Sequence, residues 1–251
     1  MKVVFHEDFH KVYTGDPAAA RGRLQPMVRA LRERCAFEQP EPAPLADVLR
    51  VHDEAHVQRI RKERKIGPLA LLAAGGAMHA AHLALQGEPV FALVRPPGHH
   101  ASVDSCWGFC FYNNMAVAVA ELLAGGHVAS ALILDIDLHF GDGTLNIFEQ
   151  HEDVQYLHPE GSDRRAWLED CRQWLDDAAP AEIIAVSAGF DRHIEDWGET
   201  LRTVDYRTVG EWVRGWSAEH CGDRAPFVVL EGGYNHEAMA EAAVALCEGL
   251  G

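Results

Sequence analysis

The sequence predicts an α/β protein with a central, mostly parallel sheet and helices on both faces. Three observations predict it. Short apolar runs alternate with helical patterns along most of the 251 residues, the order that builds parallel strands joined by crossover helices. The runs are continuously hydrophobic rather than alternating, as strands covered on both faces are. Four of them end in clusters of His, Asp, Tyr and Gly, beyond the carboxyl ends of strands, where open parallel sheets bind their ligands.

Taken in order, the expected strands are Val3–Phe5, Val90–Val94, Ala131–Ile136, Val154–Leu157, Ile183–Val186 and Phe227–Leu230. The helical stretches between them are Arg23–Arg34, Leu69–Leu85, Met115–Leu123, Trp167–Leu175, Tyr206–His220 and Ala238–Leu246. Met115–Leu123 runs into Gly125-Gly126, a C-cap signal. Asn235 is placed to cap the final helix. Gln39–Pro44, with three prolines, reads as a loop inside one domain spanning residues 1–251. No repeat, low-complexity tract or linker interrupts the chain.

Composition narrows the function. Nearly half the residues are apolar, enough for a sizeable core. The formal charge of -16 argues against nucleic acid as a partner, since phosphate binding needs clustered Lys and Arg. It suits a cationic substrate through long-range steering. Neither a secretory apolar region nor a membrane-length apolar run is present, so the expected location is cytoplasmic. Six cysteines without a CxxC pair read as free thiols.

The strand ends carry the chemistry. In DIDLHFGDGT, Asp135, Asp137 and His139 are spaced by two, which on an extended backbone turns them to one face. Two carboxylates and an imidazole there call for a cation, and a borderline divalent metal accepts both oxygen and nitrogen. Asp191, ending SAGFD, is the best third ligand. Three protein ligands leave an open position for water and substrate. The alternative is that Asp135 and Asp137 merely cap the following turn. His99 and His100 follow the rigid turn Pro96-Pro97-Gly98, and Asp135 and Asp142 are the available carboxylates to orient them. Tyr234, after Gly232 and Gly233, can donate a hydrogen bond to an oxyanion.

RPPGHHA, DIDLHFGDGT, SAGFD and EGGY, in this order, resemble the histone deacetylase superfamily, including its bacterial acetylpolyamine amidohydrolase and acetoin-utilisation-type branch. The match runs from about His6 to Tyr234. The resemblance implies the arginase/deacetylase-like three-layer fold and zinc, or Fe2+ in its place, on Asp137, His139 and Asp191. It implies His100 as general base and acid, assisted by His99, with Asp135 and Asp142 orienting the pair and Tyr234 polarising the acetyl carbonyl. Gly108 looks like the residue whose carbonyl accepts the substrate amide N–H. Phe109 looks like a wall of the acyl tunnel, and Arg23 like the arginine lining the acetate exit. The implied activity is removal of acetyl groups from acetylated amines, acetylpolyamines or acetyl-lysine.

The chain departs from the family pattern at four places. Phe140 stands where a second His is usual. The segment after His158 is too short to hold the second aromatic tunnel wall. The segment from His56 to Leu69 is too short for the usual rim loop. Tyr156 stands where a Ser helps bind a structural potassium ion (K+), which leaves that ion open. A cut-down rim implies an open site, or a homo-oligomer in which a neighbour completes it.

Several patterns read as structural. His52-Asp-Glu-Ala-His56 imitates HExxH, but its carboxylates are displaced. His79 and His82, the basic run Lys62, Arg64 and Lys65, and the pairs Trp167/Trp174 and Trp212/Trp216 read as packing or surface. An arginase-like ureohydrolase would need further Asp and His ligands for a second metal. A sensor that binds acetylated amines without cleaving them predicts loss of a catalytic group, and a structural subunit predicts stability indifferent to metal.

Overall fold

A computed structural model describes all residues, 1–251. Seven strands form one sheet: β1 (Lys2–Val4), β2 (Ala36–Glu38), β3 (Val90–Ala92), β4 (Ala131–Asp135), β5 (Val154–Leu157), β6 (Ile183–Ala188) and β7 (Phe227–Leu230). Every pairing is parallel, in the order β2-β1-β3-β7-β6-β4-β5. All residues of β3, β4, β6 and β7 are buried, as the continuous apolar runs require.

Nine α-helices accompany the sheet: α1 (Gln25–Arg32), α2 (Leu45–Val48), α3 (Glu54–Lys62), α4 (Gly67–Ala84), α5 (Asn114–Ala124), α6 (Asp142–Phe148), α7 (Arg164–Asp177), α8 (Thr203–His220) and α9 (His236–Leu250). Helix α4 lies against β1, β3 and β7 with α5 beside it, while α8 lies against β6 and pairs with α9, which carries α1. The Ala-rich α4 is buried over most of its length, as a helix apolar nearly all round should be. Helix α5 ends where expected, with Gly126 at φ +68 just beyond the last turn. The Asn235 side chain accepts from Ala238 N–H at 3.3 Å.

The segment at residues 39–44 has no regular structure, as expected. Edge strand β2 was not expected. It is three residues long and no residue of it is fully buried, so it lacks the apolar run that reveals an interior strand. Helices α2, α3 and α6 were not expected either, and α6 opens inside the glycine-bearing GDGT. No helix is long and apolar enough to cross a membrane. All six cysteines are unpaired.

Candidate active site

The four strand ends singled out in the sequence belong to β3, β7, β6 and β4, four consecutive strands of the sheet. Their carboxyl ends therefore meet. Residues 135–139 do not stay extended: β4 ends at Asp135 and the chain bends through residues 137–139. The bend, not the two-residue period, converges these side chains. Asp135 Oδ1 accepts from Asp137 N–H at 3.0 Å, and Asp137 Oδ1 accepts from His139 N–H at 2.9 Å. Both aspartates thus cap the turn while also facing the site.

Asp137, His139 and Asp191 come together, with one ligand atom from each within 4.8 Å of the others. His139 Nδ1 lies 3.3 Å from Asp137 Oδ1 and 3.1 Å from Asp191 Oδ2. Backbone donors hold the other carboxylate oxygens, Gly232 N–H on Asp137 at 2.8 Å and Leu138 N–H on Asp191 at 3.0 Å. Both carboxylates are buried. Burial and the neighbouring Asp137 charge push the Asp191 carboxyl up. Two carboxylates that raise each other's energy in a buried pocket are relieved by a cation. An O,N,O donor set with His139 partly exposed fits a divalent metal with an open position.

His99 Nδ1 pairs with Asp135 Oδ2 at 3.1 Å and His100 Nδ1 with Asp142 Oδ1 at 2.6 Å. A carboxylate only accepts, so each Nδ1 carries hydrogen and each neutral ring leaves Nε2 as acceptor. The two rings differ electrically. Burial disfavours charge on His99, but Asp137, Asp135 and Glu231 outweigh it and raise its pKa well above the ordinary value. Burial and the adjacent His99 push His100 down, against the pull of Asp142.

These residues floor a cavity of about 120 Å³, lined by His99, His100, His139 and Gly232 below and by Trp107, Phe109, Trp197 and Tyr234 at the sides. Tyr234 stacks on Trp197 with ring centres 3.9 Å apart and meets Phe109 edge-on at 6.0 Å. Gly108, at φ +58, lets the chain pass over His100, where a Cβ would stand 2.4 Å from the imidazole Cδ2. Phe109 also has positive φ, +68, a strained setting for a non-glycine residue. Arg23 is buried but does not line the cavity. Its guanidinium donates to Gly233 O at 2.9 Å and Glu231 O at 2.7 Å, bracing the segment that carries Tyr234.

Other residues escaped sequence reasoning. Trp107 donates from Nε1 to Asp142 at 2.8 Å and lies 3.9 Å from the His100 ring. Trp197 supplies aromatic wall that the short segment after His158 does not. Asp196, beside it, accepts from Tyr234 and Asn235 N–H, each at 2.7 Å. Glu231 accepts from Gly98 and His99 N–H at 2.7 and 3.1 Å, and burial pushes its carboxyl up to about 7. The available signals were position: Trp107 directly precedes Gly108, Trp197 follows Asp191 in one loop, and Glu231 opens EGGY.

The sequence matches the family model described as histone deacetylase domain over residues 18–167 and 159–250. The chain belongs to the histone deacetylase family. Within that family it is 33% identical to a "Probable deacetylase" of Archaeoglobus fulgidus, covering 94% of this chain and 81% of the relative. It is 29% identical to a histone deacetylase-like amidohydrolase of Pseudomonas aeruginosa, over 89% and 72%, and 30% identical to acetylpolyamine amidohydrolase 2 of the same organism, over 68% and 60%. The crystal structure of the HDA15 HD domain superposes with a TM-score of 0.82 at 24% identity, covering 99% of this chain and 88% of that one. The family's arginase/deacetylase fold is thus the fold of this chain.

Proposed function

We propose that this chain is one catalytic domain that removes acetyl groups from acetylated amines, using a divalent metal held by Asp137, His139 and Asp191. The observation that carries the reading is the convergence of those three residues with two His–Asp pairs, of which His99, His100 and His139 line one narrow cavity. Zinc, or Fe2+ in its place, would supply Lewis acidity, acidifying water and polarising the acyl carbonyl. His100, oriented by Asp142 and kept neutral by burial, accepts a proton from the attacking water at Nε2 and returns it to the leaving amine nitrogen. His99, oriented by Asp135, lies beside the developing negative charge and assists electrostatically. The Tyr234 phenol, kept protonated by burial and by the Asp137 and Asp191 charges, donates to the oxyanion. The Gly108 carbonyl receives the substrate amide N–H, and Trp107, Phe109 and Trp197 exclude water around the acyl group.

The acidic chain and the acetylpolyamine amidohydrolase among its relatives favour small cationic acetylamines over neutral ones, in a cytoplasmic setting. The test is hydrolysis of an acetyl-lysine dye substrate and of an acetylpolyamine with zinc added, beside His100→Ala. Turnover by the parent, lowered about 10²–10⁴-fold in the variant, is expected. A parent that binds one metal and cleaves neither substrate would instead be a binding protein or act on another acyl group.

A further inference from the structure

Beneath the turn that carries Asp137 and His139, the chain provides its own cation. Arg192 is 7% exposed. Its Nε donates to the Asp137 carbonyl at 3.0 Å, and its terminal nitrogen donates to the Leu138 and Pro159 carbonyls, both at 3.3 Å. The same nitrogen lies 3.4 Å from His158 Nε2, and the guanidinium carbon sits 5.6 Å over the Trp167 ring. Side-chain carboxylates are absent from this set of partners. The guanidinium is bound by carbonyl oxygens, as a desolvated monovalent metal ion would be.

Beside it, the polar groups are paired within the chain. The Tyr156 hydroxyl is already used on both sides, donating to Asp135 Oδ2 and accepting from Gly141 N–H, each at 2.9 Å. Phe140 packs edge-on against Tyr156 at 5.7 Å and against His158 at 5.4 Å. Charge makes the same point. Asp135, Asp137 and Asp191 are buried together, and a divalent metal would neutralise two of the three. Arg192 adds positive charge from a position next to Asp191.

We propose that Arg192 replaces the structural monovalent cation, a positioning residue that fixes the Asp137–His139 turn and makes metal binding and turnover independent of potassium. A tethered guanidinium, unlike a bound ion, does not dissociate from the fold. Tyr156 and Phe140 complete the replacement by packing their rings beside the same turn.

This inference rests on the metal reading of the site, so zinc binding by the parent is measured first. Failure to bind zinc sinks that reading. With zinc bound, its affinity by chelator competition, kcat and Tm are measured in potassium, sodium and tetramethylammonium salts at constant ionic strength. All three are expected to agree within twofold in affinity and rate, with no shift in Tm. A saturable rise with potassium in the parent overturns the proposal while leaving the metal site standing. Arg192→Ala combined with Tyr156→Ser opens the space. In tetramethylammonium its zinc affinity is expected to fall about 10–100-fold, with at least partial recovery in potassium. A fall that potassium does not repair makes Arg192 an ordinary brace and also overturns the proposal. Should the double variant fail to fold, the parent's salt series still decides.

Discussion

His52 uses both ring nitrogens as a neutral imidazole. Nδ1 donates to the Ser102 carbonyl at 2.7 Å and Nε2 accepts from Asn113 N–H at 2.9 Å. A proton on Nε2 would face that N–H. Burial, and then the adjacent His56, lower its pKa to about 4. The unfolded chain binds a proton near pH 6.5, so between about pH 6.5 and pH 4 it takes up a proton that the folded chain refuses. Stability therefore falls as pH drops through that window, by on the order of 3 kcal/mol from this group. Urea melts at pH 7.5 and 5 should show a smaller acid loss for His52→Gln than for the parent. At the reaction centre, Tyr234→Phe keeps the stack on Trp197 and removes the donor. It should lower kcat about 10²–10³-fold with KM little changed. His100 is depressed from its ordinary value, and a general base must be neutral. The acid limb of the kcat/KM profile should therefore fall below pH 6.5, and a limb above that value would assign the base elsewhere.

The elements explain what could be read in advance. Strand ends announce themselves because an apolar run stops abruptly at a charged residue, as Leu134 gives way to Asp135 and Val229-Leu230 to Glu231. The His–Asp pairs and the three convergent ligands were legible for that reason. Trp197 was not, because it sits in a loop whose path is set by Asp196 gripping two backbone N–H groups, a contact across 38 and 39 residues. Arg192 was hidden likewise: adjacency to Asp191 suggests an ion pair, whereas the fold turns the guanidinium to carbonyls. The loop makes a prediction. Trp197→Ala removes one aromatic side of the cavity and should lower kcat/KM for a small acetylamine about tenfold with the metal retained, given the energy carried by an aromatic stack such as that on Tyr234. Strand β7 makes another. A Cβ at Gly232 would lie 2.5 Å from Asp137 Oδ2 and 2.7 Å from Asp191 Oδ2. Gly232→Ala should emerge folded but depleted in metal, as read by metal analysis and circular dichroism. Full metal content in that variant would move the site away from this carboxylate pair.

At the scale of the molecule, the charge of -16 is a long-range field. It should raise the encounter rate of a cationic acetylpolyamine and leave a neutral acetamide of similar size unaffected. Between 20 and 300 mM salt, kcat/KM for the polyamine should fall several-fold while the neutral compound stays level. The sheet order has a different consequence. Strand β7, the last to leave the ribosome, lies between β3 and β6 and is the only strand joining β2-β1-β3 to β6-β4-β5. The histidine pair rides on one of those pieces, and Asp137, His139 and Asp191 ride on the other. Without Phe227–Leu230 no strand pairing links the piece carrying His99 and His100 to the piece carrying Asp137, His139 and Asp191. The proposed site is therefore completed only when β7 pairs on both sides and closes the sheet.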